Sequence, residues 1–409
     1  MGDISFTRRR VVVAMIAALC ALLVLAFPAL SRESGGHSGK RAISAYTAAL
    51  NGLQTETQQA LDSYMNHTSS SDPRYYSGGV WNATDGPPCW FCYDSAAVAA
   101  ATLSRLQNKP SLAKVTIDTF NHAISMYQLP SGAIADTTGG TPDGIGTGFF
   151  GVNLGITYLE IKPVLSAATQ ASWSSALAKL ASYLVTSGDT TWYVNGNDNL
   201  RYTEVEWLAW AVTHQQRFLT AYNNEWQFTI APPQQRWTGF GLHMTRVATR
   251  ADGSNGAGYL AESIFQQTPG FDPSYTMVQL DTATDLYVLT RDPRYLRLMN
   301  LEFNQLRPLV NSGWILNARG GSRKDDMVPF VTGAVTVLAA SGDRPDLVGR
   351  VSSHMSFVEG AYRQLVDITS PNFYKGFESW LAIPLLDREW PQGMASPTSI
   401  AASQHSQGG

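Results

Sequence analysis

The sequence predicts an all-α (α/α)6 toroid, a ring of inner helices wrapped by outer ones, with an inserted β-hairpin. Apolar residues recur with helical period in long blocks, and period-2 alternation is scarce outside one stretch. The blocks alternate strictly between amphipathic and mostly apolar, six of each kind. A helix apolar on most of its circumference must be covered on most sides, so an inner ring inside an outer ring suits this order. A two-layer solenoid would also alternate, but it needs near-identical repeats and polar end caps, and neither is visible.

The amphipathic blocks run over 42–65, 111–127, 167–186, 215–225, 293–310 and 345–367, and each reads as an outer helix with one apolar stripe. The apolar blocks run over 92–106, 148–161, 197–213, 273–289, 325–340 and 373–386, and read as inner helices. Trp207-Leu208-Ala209-Trp210, inside the third of these, reads as core packing. Between about 227 and 268 the pattern changes. Asp252-Gly253 and Asn255-Gly256 are hairpin-turn signals between β-prone stretches, so a hairpin is expected along one wall of the cleft.

Outside the toroid, expected over 42–392, the N-terminus carries an address. Arg8, Arg9 and Arg10 precede an apolar run from Val11 to Leu30, a positive flank followed by an export core. The run is about 20 residues, enough for a bilayer core of roughly 30 Å, so an uncleaved membrane anchor and a cleaved signal peptide over 1–31 are both readings. The Ala29-Leu30-Ser31 ending favours cleavage. Residues 32–41 read as a Ser/Gly tether and 393–409 as a disordered tail. Either way, a secreted or otherwise extracytoplasmic location is expected. Cys20 lies in the apolar run. Cys89 and Cys92, in Cys-Trp-Phe-Cys, read as a short structural disulfide, since no parallel sheet is visible to carry a thioredoxin-type site.

Composition excludes some functions. The 409 residues carry 29 basic and 32 acidic side chains, a net charge of −3, so binding of nucleic acid by bulk charge is excluded. The seven histidines are scattered, with no paired ligands, so neither a metal nor a cofactor is expected. A monomer is expected.

In a helical toroid the loops entering the inner helices open on one side. Here those loops hold Trp90, Tyr93, Asp94, Asp143, Asp198, Asn199, Arg201, Tyr202, Asp272, Tyr275, Arg319, Arg323, Lys324, Tyr374 and Lys375. Aromatic rings stack on sugar faces while amides, carboxylates and guanidinium groups bond to hydroxyls, so the mixture suits an oligo- or polysaccharide.

On this helix order and on the Gly270-Phe-Asp-Pro-Ser-Tyr275 loop-to-helix entry, the chain resembles the six-hairpin glycosidases and the toroidal polysaccharide lyases. The resemblance implies a carbohydrate-active enzyme, and a lyase acting on a uronic-acid glycan is the leading expectation. In β-elimination, Asn199 or Arg201 would hold the uronic carboxylate. Tyr275 would act as base and acid, with His243 as an alternative base. Arg319, Arg323, Lys324 and Lys375 would bind the anionic chain.

Two other readings stand. A glycoside hydrolase needs two carboxylates, about 5–5.5 Å apart when retaining and about 6.5–9.5 Å when inverting. Asp94 and Asp198 are the pair expected, with Glu204 about one turn inside and inversion implied by the resemblance. Asp272 also reads as a helix N-cap. A non-catalytic cell-surface glycan-binding protein would keep the aromatics and lack the paired acids.

Overall fold

Glycine at helical spacing sets how closely the inner helices approach. The computed structural model describes residues 76–77, 80–81, 93–135, 140–262, 268–321, 327–330, 332–340, 344 and 346–347. Among them the inner helices are α1 (Tyr93–Gln107), α3 (Gly144–Ile161), α5 (Gly196–Thr213), α7 (Pro273–Thr290) and α9 (Thr332–Ala340). The outer helices are α2 (Pro110–Tyr127), α4 (Ala167–Ser187), α6 (Gln216–Ile230) and α8 (Pro293–Leu306). Each inner helix from α1 to α7 packs against the outer helix that follows it. Along the inner ring, α1 touches α3, α3 touches α5, α5 touches α7, and α7 touches α9. This is the layering of an (α/α)6 toroid. The expected sixth inner block (373–386) and first outer block (42–65) lie outside the described residues, as does nearly all of 345–367.

Burial follows the sequence pattern. Helices α3, α5 and α7 are buried on nearly every side, whereas α2, α4 and α6 bury one stripe. Phe120 of α2 lies 5.6 Å from Phe150 of α3 and 5.3 Å from Trp173 of α4, so one aromatic cluster joins both layers. Trp173 remains buried because its indole N–H donates to Asn121 at 2.8 Å. Trp207 and Trp210 meet edge to face at 6.1 Å, within or against the core.

Local chemistry sets the boundaries. Asp143, Ser166, Asp272 and Asp292 cap α3, α4, α7 and α8 by accepting from backbone N–H groups of the first turn. Gly188 ends α4 with φ +85°, a conformation that glycine adopts without steric cost. The block expected to be helical over 325–340 begins its helix only at Thr332, because Met327–Pro329 form a strand. Proline there lacks the N–H a continuing helix needs.

Strands are more numerous than the single hairpin expected. Four antiparallel ribbons are described: β1–β2 (Tyr76–Ser77, Val80–Trp81), β3–β4 (Ile134–Ala135, Pro142–Asp143), β5–β6 (Leu242–Arg246, Ala257–Leu260) and β7–β8 (Ile315–Asn317, Met327–Pro329). They precede α1, α3, α7 and α9, so each stands in a connection into an inner helix. Strands of two or three residues are too short for alternation to register in a sequence. In the changed-pattern region, α6 continues to Ile230 before the β5–β6 hairpin begins.

On α3, Gly148, Gly151 and Gly155 form a bare stripe. A Cβ on them would come within 2.8 Å of the Tyr202 ring, 2.9 Å of Val205 and 2.9 Å of Leu208, all on α5. Gly151→Leu therefore overpacks the α3–α5 contact, and a loss of about 1–3 kcal/mol is expected in denaturant unfolding. Gly320→Leu, at a position where an added Cβ meets nothing within 4 Å, should melt like the parent.

Candidate active site

The entry to α5 concentrates polar groups beyond what capping needs. Tyr193 leads through Asn195-Gly196-Asn197-Asp198-Asn199 into the helix. Asn199 is fully engaged. Its amide donates to the Tyr193 carbonyl at 2.7 Å and to Glu225 at 2.9 Å, and its oxygen accepts the Asn195 N–H at 2.8 Å. Asp198 is 3% exposed and accepts from Asn195 and Asn197, each at 3.3 Å. Glu262, just after β6, accepts the Asn197 N–H at 2.6 Å and also takes the Gln279 amide. Its second oxygen has no hydrogen-bond partner. Burial, reinforced by Asp198 and Asp272, pushes the Glu262 carboxyl well up.

Inside the ring, Arg201 is fully buried. It reaches Glu204 at 3.0 Å, Asp281 at 3.2 Å and Asp285 at 3.4 Å, and stands 5.3 Å over the Phe149 ring. One guanidinium thus faces three carboxylates. Burial raises Glu204 to about 7 despite Arg201, and Asp281 adds to the rise. Burial likewise holds Asp285 well above the carboxylate range. A second buried acid pair lies between α5 and α6, where desolvation raises both Glu206 and Glu225.

An open cleft of about 480 Å³ lies beside these groups, lined by Thr141, Pro142, Asp143, Gly144, Ile145, Asp189, Trp192, Tyr193 and Tyr202. Three elements build it: the β4–α3 junction, the single helical turn Asp189–Trp192 that follows Gly188, and the first turns of α5. Asp143 presents its carboxylate from the α3 cap, where Oδ1 accepts the Gly146 N–H at 2.9 Å. Asp189 takes the Ser187 hydroxyl at 2.9 Å. Trp192 is 56% exposed and stacked on Tyr193 at 6.1 Å and 30°. Burial pushes the Tyr202 hydroxyl well up, helped by Asp198 and Asp189, so it stays a neutral donor.

Of the expected site residues, the structure therefore brings Asp143 and Tyr202 together at this cleft. Several others it places elsewhere. Arg201 and Asn199 are committed to the interior, because a helix buried all round turns successive residues toward different neighbours and not toward one mouth. Asp272 is fully buried as the α7 cap and takes the Tyr275 N–H at 3.1 Å, so it has no face for a substrate. Asp198 is buried in its amide cluster and is absent from the cleft lining. Tyr275 is half-buried and Arg319 exposed, and neither lines the cleft. His243 lies on β5, bonded to the Gly239 carbonyl and stacked on Tyr259 at 5.5 Å, as a strand histidine would be.

Trp90, Cys89, Cys92, Arg323, Lys324, Tyr374 and Lys375 lie outside the described residues. Tyr93 and Asp94 begin α1, but their side chains are likewise not described. The sequence reading missed Asp189, and Gly188-Asp189, a glycine stop followed by a carboxylate, is the signal that could have found it; Trp192 heads the loop expected to enter α5 but was given no role there. Among the described residues, no group of three or more His, Cys, Asp or Glu side chains is arranged to hold a metal.

The helix layering defines the class of fold, an (α/α)6 toroid. The chain is similar in structure to a D-mannose isomerase, at 12% identity and TM-score 0.50, over 75% of this chain and 85% of that one. It is also similar to an unsaturated glucuronyl hydrolase variant from Streptococcus agalactiae, at 9% identity and TM-score 0.50, over 88% of this chain and 97% of that one. At such identities the likeness is one of fold. No family model matches the chain. No curated protein matches it in sequence.

The buried acids make stability depend on pH in a definite direction. Glu204 has a folded pKa of about 7 against 4.5 for the free group, so it binds its proton more tightly when folded. Its contribution is complete below about 4.5 and is lost as pH rises through about 7. Melting temperature should therefore fall across that interval, and Glu204→Gln should flatten the fall. Removing the cation is harsher: Arg201→Met leaves the acids uncompensated and should cost about 3–5 kcal/mol in denaturant unfolding.

Proposed function

We propose that this protein is an extracytoplasmic glycoside hydrolase whose Asp143 and Asp189 act on a glycosidic bond held against Trp192, Tyr193 and Tyr202. The observation that carries the reading is the cleft lining: two carboxylates and three aromatic rings, with no lysine or arginine among the lining residues. Hydrolysis needs one carboxylic acid and one carboxylate. Asp143, held at the start of α3 by the Gly146 N–H at 2.9 Å, takes the part of the base. Asp189 takes the part of the acid. It gives its proton to the leaving oxygen as the anomeric C–O bond breaks. Water then adds to the anomeric carbon and loses its proton to Asp143.

Tyr202 contributes a neutral hydroxyl donor, fixed by ring contact with the bare face of Gly148. Trp192 and Tyr193 offer a stacked platform for the sugar face. A β-eliminating site is less well supported, because Arg201 and Asn199 are occupied in the interior and Tyr275 is not at this cleft. Extracytoplasmic placement rests on Arg8, Arg9, Arg10 and the apolar run after them. Among the described residues no helix is long and apolar enough to cross a membrane, and the run 11–30 lies outside them.

Incubation with a panel of neutral and acidic polysaccharides should release reducing ends without the ultraviolet absorbance of unsaturated ends. Asp143→Asn and Asp189→Asn should each lower kcat by about 10²–10⁴-fold. Tyr275→Phe should keep its activity. Unsaturated products, or loss of turnover in Tyr275→Phe with both aspartate variants active, would overturn the hydrolase reading.

A further inference from the structure

The stretch from Arg236 to Arg307 holds seven arginines and seven acidic residues, so as sequence it is neutral. Folding separates the two signs. Glu262, Asp272, Asp281, Asp285 and Glu302 are buried, none more than 1% exposed. Only Asp252 and Asp292 remain toward solvent, and each pairs with a neighbouring arginine, Arg250 and Arg294 respectively. Five acidic groups are thus withdrawn from the surface of a segment whose arginines stay on it. Burial also favours the neutral acid at Glu262, Asp285 and Glu302, which weakens even their distant field.

The arginines are gathered by the β5–β6 hairpin lying on α8. Arg246 is exposed and donates to the carbonyls of Asn255 at 3.0 Å and Gly256 at 3.2 Å. Arg297 donates from α8 to the carbonyls of Arg250 and Ala251, both at 3.1 Å. Asn300 and Asn304 anchor the same turn by donating to the carbonyls of Asp252, Ser254 and Gly256. Three guanidinium groups, of Arg246, Arg250 and Arg297, are therefore fixed around one rigid turn. Arg246 and Arg297 bond to neutral carbonyls, which leaves their charges uncancelled.

We propose that this hairpin–α8 face is a second carbohydrate site, separate from the cleft, that docks an anionic polysaccharide through Arg246 and Arg297, with Arg250 beside them held by Asp252. Guanidinium forks match carboxylates bidentately, and repeated charges along a chain match several fixed forks at once. The surroundings are polar: Thr245 bonds to Gln305, and Asn255 bonds to Thr249 and to the backbone of Thr249 and Arg250. Val247 is the one large apolar side chain exposed on the described hairpin, too little to wedge into a lipid surface. The face shares no residue with the cleft lining, so it would hold the enzyme on an acidic polymer while the cleft works on another bond.

The test uses the full chain and immobilised polygalacturonate, with neutral dextran and phosphatidylglycerol vesicles as comparison surfaces. The parent should bind polygalacturonate and not dextran, and binding should weaken at least about tenfold from low to physiological salt. Arg246→Gln with Arg297→Gln should weaken it about tenfold or more, while the two lysine replacements should keep most of it. Val247→Glu adds a carboxylate next to Arg246 in the chain, at a position 75% exposed, so it should lower affinity several-fold with an unchanged melting curve. Asp143→Asn with Asp189→Asn should bind as the parent does, which separates this site from the cleft whatever the cleft's chemistry. Unaltered binding in Val247→Glu, salt-independent binding, or capture by vesicles in preference to the glycan would each overturn the proposal.

Discussion

Arg201 holds one place in the ring where three inner helices must agree. Its guanidinium leaves α5, meets Glu204 on its own helix and Asp281 and Asp285 one turn apart on α7, and stands over Phe149 of α3. Ion pairs withdrawn from water in this way return little net stability, because each charge gives up its hydration. Their effect is on register. A slide of α7 by one residue would turn both acids away from the cation and leave charges unmatched in the interior. The glycine stripe of α3 works in the same direction, since only that face accepts Tyr202, Val205 and Leu208 so closely. Hydrophobic burial closes the ring, while the cation and the glycines decide how its members align.

Alignment is what gives the cleft its character. Tyr202 reaches the cleft wall because α5 sits against the bare side of α3, and Asp143 reaches the same space because it caps α3. Asp189 arrives from the outer layer, carried by the helical turn that begins at Gly188. Two of the three polar groups are therefore tied to inner helices whose positions the buried cluster fixes. The ring core and the cleft are parts of one packing arrangement, so changes at Arg201 would be felt at Tyr202 and Asp143.

Much of the architecture was legible in the sequence. The apolar block 273–289 became Pro273–Thr290, and 197–213 became Gly196–Thr213, because a run apolar on all sides has few places to go but the middle of a fold. The short ribbons were not legible, since two residues carry no period. The site was legible only in part. Asp143 stood out as a carboxylate at a helix entry and does line the cleft. Asn199 and Arg201 stood out as groups at a helix entry able to hold a substrate carboxylate, yet their side chains turn inward, because adjacency along a helix says little about shared direction. Asp189 sits after an outer helix, where a search confined to inner-helix entries does not look.

The same separation of neighbours explains a feature that composition hides. A residue count treats Asp285 and Arg291 as offsetting charges, but one lies in the interior of the ring and the other at the helix end. Buried acids contribute to the formal net charge of −3 without contributing proportionately to the field outside. Charge at a protein surface is set by which groups the fold leaves in water, and neutral stretches can present a strongly signed face. In this toroid the inner helices collect carboxylates around one guanidinium, and the segment from Arg236 to Arg307 is left presenting more cations to water than its sequence suggests. The arrangement that fixes the register of α5 and α7 and the one that charges the hairpin–α8 face are thus two consequences of one distribution of acids.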